Sequence, residues 1–105
     1  MSKVVIEAIV KKEKETGDLV LLFPYQIENR KGNFTCFTLN EGHSLCAYDW
    51  YLTETKPLTD QDLRSTQHQN LVNYYLQDFD LKIIKKINAR KQGEAIRAFN
   101  LNHKN

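Results

Sequence analysis

Cysteine is scarce in this chain of 105 residues, which holds two, Cys36 and Cys46. That number excludes the dense disulfide framework of small secreted domains and leaves at most one bridge. Both are expected as free thiols packed like small hydrophobes. Long apolar runs are absent as well. No stretch approaches the roughly 18 residues that a membrane-crossing helix requires. The alternating start from Val4 to Lys12 lacks the uninterrupted apolar core of a secretory signal, so a cytoplasmic location without membrane contact is expected. There is no P-loop, no dinucleotide glycine fingerprint and no H-E-x-x-H helix. Internal repeats and low-complexity tracts are missing too, and enzyme is the class with the least support.

What is present suits one folded domain. Hydrophobic residues make up 41% and charged residues 27%, and five Phe, five Tyr and Trp50 argue against disorder. A chain of this length buries roughly two-thirds of its unfolded surface. Its charge is segregated. Residues 82 to 105 carry seven of the 15 basic residues and one of the 13 acidic ones, leaving eight against twelve before them. A body of charge −4 therefore precedes an end of charge +6, a field that a polyanion or an acidic protein surface would sense.

Residues 4 to 11 alternate with period two, placing Val4, Ile6, Ala8 and Val10 on one face of a strand. Thr16-Gly17-Asp18 supplies a turn. Leu19 to Phe23 reads as a second strand, which Pro24 ends or moves to a sheet edge. After the loop signal Lys31-Gly32-Asn33, Phe34 to Leu39 has the aromatic and β-branched mixture of a third strand. Asn40-Glu41-Gly42 breaks the pattern, and Ser44 is placed to cap a short helix with Leu45, Tyr48 and Leu52 at helical spacing. Pro57 closes that segment. Thr59-Asp60-Gln61-Asp62 offers a cap hydroxyl and carboxylates at the positive end of a helix dipole. That helix is predicted from Asp60 to about Gln77, with Leu63, Gln67, Leu71, Tyr74 and Tyr75 along one stripe. Asp78-Phe79-Asp80 turns the chain into Leu81 to Ile87, an edge strand blunted by lysines. The expected fold is α+β, about four antiparallel strands with one main amphipathic helix on one face. Residues 1–88 form the expected domain and 89–105 a basic C-terminal extension. The extension is either a short docking helix using Ile96, Ala98, Phe99 and Leu101 or a tail ordered by a partner.

Several residue groups bear on chemistry. Cys36, His43 and Cys46, with His68 or Asp49, supply zinc-ligand types, yet the only short-spaced pair is His43-x2-Cys46. No metal or cofactor is assigned. His43 and Cys46 also offer a base and a thiol, but no third orienting residue accompanies them. A half-buried cysteine and a turn histidine are the plainer reading. Asp49 with Glu54, and Asp60 with Asp62, are the carboxylate pairs; helix capping accounts for the latter. No catalytic residue is assigned. Phe34, Phe37, Tyr48, Trp50 and Tyr51 cluster together, and core packing, interface anchoring and base stacking are the alternatives. Lys82, Lys85, Lys86, Arg90, Lys91 and Arg97 form a candidate surface for nucleic acid or another partner, against the alternative of a solvated face. Phosphate contacts there give affinity without reading sequence.

Leu22-Phe23-Pro24-Tyr25, Gly32, Gly42-His43, Tyr48-Asp49, Thr55-Lys56-Pro57, Thr59 and Phe79-Asp80-Leu81-Lys82 occur in that order. Together they resemble a group of small proteins from phages and other mobile elements. The chain departs from that pattern at Ser44 and Leu45, where small residues are usual, and in its longer end after Asn88. The resemblance implies a small accessory protein that binds a host macromolecule, either a protein such as a defence component or nucleic acid. It assigns no functional residue. His43, Asp49 and Lys56 recur in the pattern and, with Trp50, are the candidate functional loop positions.

Overall fold

A computed structural model describes residues 4–76 and 79–102. The alternating first segment forms β1 (Val4–Glu13), and the turn that follows reverses it into antiparallel β2 (Leu19–Ile27). Gly17 sits there at φ 77°, where a side chain is strained. β3 (Phe34–Thr38) and β4 (Gly42–Cys46) continue the antiparallel meander. After α1 (Tyr48–Glu54), the short β5 (Thr55–Lys56) pairs with the end of β1. α2 (Asp60–Leu63) and α3 (Thr66–Leu76) lead to β6 (Phe79–Ile83), and α4 (Ala89–Asn102) follows.

The sheet has six strands, in the order β4, β3, β2, β1, β5 with β6 also on β1. It is thus larger than the four strands expected, and it is mixed, not antiparallel. β6 runs parallel to β1, from Val4 opposite Phe79 to Ala8 opposite Ile83. Period two is common to both strand directions, so the pattern carried no information on direction. Four helices replace the one main helix. Thr59 makes the expected capping box: its Oγ1 accepts from the Asp62 N–H at 3.1 Å, and Asp62 Oδ2 accepts from the Thr59 N–H at 3.0 Å. Ser65 then opens a second helix, its Oγ accepting from the His68 N–H at 3.1 Å. This break turns Leu63 out to 52% exposure while Leu71 and Tyr75 stay buried. Ser44 caps nothing, because it lies inside β4, and α1 buries Tyr51 while Leu52 faces outward. Met1 to Lys3, the expected helix end at Gln77, the turn residue Asp78 and residues 103–105 lie outside the described residues.

Alternation along β1 and β2 sorts the core into two faces. Ala8, Val10, Leu21 and Phe23 pack against Leu71 and Tyr75 of α3. Ile9, Val20 and Leu22 pack with Phe34, Cys36 and Cys46 against Tyr51 of α1 and Ile87. Helices therefore cover both faces, where one was expected. Each large apolar side chain buried this way contributes about 1.5–3 kcal/mol.

Pro24 lies within β2 and does not end it. Pairing with β1 stops at Leu22 opposite Ile9, and the register with β3 shifts between Phe23 and Ile27. Proline has no N–H to give a ladder, and the strands part there. The Pro24 carbonyl is taken instead by Gln92 Nε2 of α4 at 3.0 Å, and Gln92 is the buried residue of that helix. No helix among the described residues is long and apolar enough to cross a membrane.

Candidate functional site

The basic segment is partly neutralised by the protein itself. α4 begins at Asn88, whose Oδ1 accepts from the Lys91 N–H at 3.1 Å and whose own N–H donates to the Tyr25 hydroxyl at 3.0 Å. That start places Lys91 over the Tyr25 ring, 4.8 Å from its centre, and against the Glu7 carboxylate of β1. Hydrogen bonding to Glu7 holds the Lys91 ammonium above its usual range. Lys82 on β6 reaches the same carboxylate at 3.9 Å, and Arg90 pairs with Glu94 one turn along α4 at 3.7 Å. Lys85 and Lys86, beyond the end of β6, and Arg97 on α4 are exposed and have no carboxylate partner among the described residues. Of six candidate cations, three are engaged at home.

The four loop candidates do not converge. His43 is on β4 and points toward α3, where its Nε2 shares a hydrogen bond with the Tyr75 hydroxyl and its ring lies 5.0 Å from Phe37. Burial raises the Tyr75 phenol well above its usual range, keeping it neutral. Asp49 and Trp50 lie in the first turn of α1, with Trp50 packed on the opposite core face from His43. Lys56 is on β5, at the other end of the strand order from β4. Of the clustered aromatics, Phe34, Phe37 and Tyr51 are core, and Tyr48 is exposed.

His43 and Cys46 also diverge. Three positions apart on a strand puts them on opposite faces. Among the described residues no group of three or more His, Cys, Asp or Glu is placed to hold a metal. Asp62 is fixed by its capping box and by Lys12 Nζ at 3.1 Å; the Thr59 N–H, then Lys12, lower its carboxyl below the ordinary range.

The feature that sequence reasoning missed is the edge formed by β4. Gly-His-Ser-Leu-Cys contains no Lys, Glu, Asp or Pro, the residues by which edge strands resist pairing. It is last in the strand order, and His43, Ser44 and Leu45 are exposed, Leu45 to 55%. An open hollow lies on each side. One, of about 430 Å³, is lined by Cys36, Ser44, Cys46, Trp50, Glu13 and Glu41 among others; the second, of about 350 Å³, by Glu28, Thr35, His43, Ser44 and Leu45. Neither lining includes a lysine or arginine. Reading Ser44 and Leu45 as the start of a helix hid this strand.

Across β3 and β4, Cys36 stands opposite Ser44 and diagonal to Cys46. The Cys36 Sγ lies 3.1 Å from Ser44 Oγ. A hydrogen bond from the Cys46 thiol favours the Cys36 thiolate, with Ser44 adding to it against the cost of burial. Cys46 is pushed the other way by that same bond and by burial. Comparison of the chain with protein-family models, with curated proteins and with solved structures gave no match.

Proposed function

We propose that this chain is a non-enzymatic binding protein that takes an extended segment of a partner protein as an added strand on β4. The observation that carries the reading is an edge strand without charge or proline, flanked by a hollow on each side. An added strand would form main-chain hydrogen bonds along β4 and place alternate side chains in the two hollows, the arrangement by which strand addition gains affinity and selectivity. Glu13, Glu28 and Glu41, with no basic residue lining either hollow, favour a segment bearing lysine or arginine. Two of the residues weighed for catalysis have structural bonds that support the reading: Asp62 caps a helix and His43 bonds Tyr75. That the partner belongs to a host and the chain to a phage or mobile element rests on the sequence resemblance.

Tagged protein passed over host lysate is expected to retain a saturable partner whose binding protects the β4 amides from hydrogen exchange. Leu45→Lys puts charge on the open edge and should release that partner. Equal retention by both proteins, or protection elsewhere with β4 unchanged, overturns the reading.

A second reading is direct nucleic-acid binding, favoured by Lys85, Lys86 and Arg97, which have no carboxylate partner among the described residues. Three phosphate contacts give a slope of about −2.7 for log affinity against log salt on duplex DNA, and six give about −5.4. A response flat in salt removes this reading.

A further inference from the structure

We infer that Cys36 and Cys46 form a peroxide-reactive dithiol, with Cys36 as the attacking sulfur and Cys46 as the resolving one. Both thiols line the same hollow beside β4, and both are otherwise enclosed, at 3% and 5% exposure. The hollow gives a small oxidant such as hydrogen peroxide a way to both sulfurs. The site also differentiates the two sulfurs. Cys36 faces two donors, the Ser44 hydroxyl at 3.1 Å and the Cys46 thiol, and these stabilise a thiolate in place. Cys46 has no equivalent support; its bond to Cys36, then burial, push its thiol up and favour the protonated form. The carboxylates of Glu13 and Glu41 in the same lining act on Cys36 in the opposite sense, and the two donors outweigh them.

The chemistry balances with a peroxide as the only added reagent. The Cys36 thiolate displaces hydroxide from hydrogen peroxide and becomes a sulfenic acid, the sulfur losing two electrons as the O–O bond breaks. Cys46 sulfur then attacks that sulfenic sulfur, its thiol proton leaves with the departing hydroxide as water, and a disulfide closes. The net change is two thiols and one peroxide to one disulfide and two waters, and it is stoichiometric.

Position sets the mechanical result. Diagonal neighbours across antiparallel strands sit about 7–8 Å apart, and a disulfide requires Cα atoms within about 7 Å. Closing the bond therefore draws β4 along β3 and removes Ser44 from Cys36. β4 is the terminal strand, so the movement disturbs one ladder, that with β3, together with the His43–Tyr75 bond.

The test exposes the folded full chain to hydrogen peroxide, then blocks remaining thiols with maleimide and measures intact mass. The expected product has lost two hydrogens and takes up no maleimide. Cys46→Ser should stop at a Cys36 sulfenic acid that a dimedone probe captures, whereas Cys36→Ser should leave Cys46 reduced. Should a variant fail to fold, rates of iodoacetamide labelling in the unaltered protein decide, with Cys36 expected at least about tenfold faster than Cys46 at neutral pH. Retention of both free thiols after peroxide, or faster labelling of Cys46, overturns the inference.

Discussion

At the α4 end, polar groups close on one another. Glu7 takes Lys82 and Lys91, Tyr25 receives the Asn88 N–H, and Gln92 reaches the Pro24 carbonyl. At the β4 edge the reverse holds: a strand without charge carries exposed His43, Ser44 and Leu45, and carboxylates line the hollows beside it. The first region dominates the sequence because its charges are numerous, and the second is inconspicuous because its residues are plain. Charge density along a chain thus differs from charge available at a surface. A basic run that docks on its own body has part of its field cancelled within a few ångströms, while a neutral strand at a sheet edge keeps its backbone groups for another molecule.

The contrast breaks first at Gln92. Gln92→Leu leaves the buried Pro24 carbonyl without its donor and is expected to cost about 1–3 kcal/mol in urea unfolding; an unchanged midpoint would show that α4 is not latched there. Gly32→Ala comes next. Gly32 holds φ 87°, and a Cβ there would stand 2.8 Å from Ile96 Cδ1 of α4. The left-handed backbone alone sets a loss of about 1–2 kcal/mol, since the Ile96 methyl is able to move. Wild-type stability in that variant would contradict the close approach of α4 to the loop after β2.

Glu7→Gln sharpens the comparison through electrostatics. Its effect on stability is expected within about 1 kcal/mol, because these ion pairs lie at the surface. If duplex DNA binds, releasing Lys82 and Lys91 raises the candidate cations without a carboxylate partner among the described residues from three to five and steepens the salt slope from about −2.7 to about −4.5. An identical slope for both proteins would mean that Glu7 withholds nothing. The smallest expected change in folding is at the other region, where Leu45→Lys should shift stability by no more than about 0.5 kcal/mol. A larger loss would mean that Leu45 packs in the folded state and that β4 is less open than its exposure indicates.

Local signals in the sequence proved sufficient for part of the local structure. Thr59 and Asp62 marked a helix start through cap chemistry, Gly17 marked the first hairpin, and alternation in residues 4 to 11 assigned the faces of β1. Part of what escaped depended on partners far along the chain. Nothing in Phe79-Asp80-Leu81-Lys82-Ile83 indicates that its neighbour is Val4 to Ala8, or that the two run parallel. Ser65 was capable of capping, but a continuous apolar stripe argued for one helix, and the break is visible only in the hydrogen bonds. At the candidate site, Leu45, Tyr48 and Leu52 fitted helical spacing; Tyr48 and Leu52 do lie in α1, and tertiary pairing of β4 with β3 took Leu45 into a strand. The thiols were legible as two buried cysteines; their diagonal relation required the register.

The parallel pair of β1 and β6 has a consequence for synthesis. The N-terminal half of β1 is made before the other strands, yet its neighbour β6 emerges only after β2 to β5 and three helices have followed it. Until then Val4 to Ala8 has no β6 ladder, and the closing step is a long-range encounter of the kind that slows folding. A ribosome-bound nascent chain would therefore hold the β1 to β4 meander first and acquire its sixth strand only after the helices between them have been made.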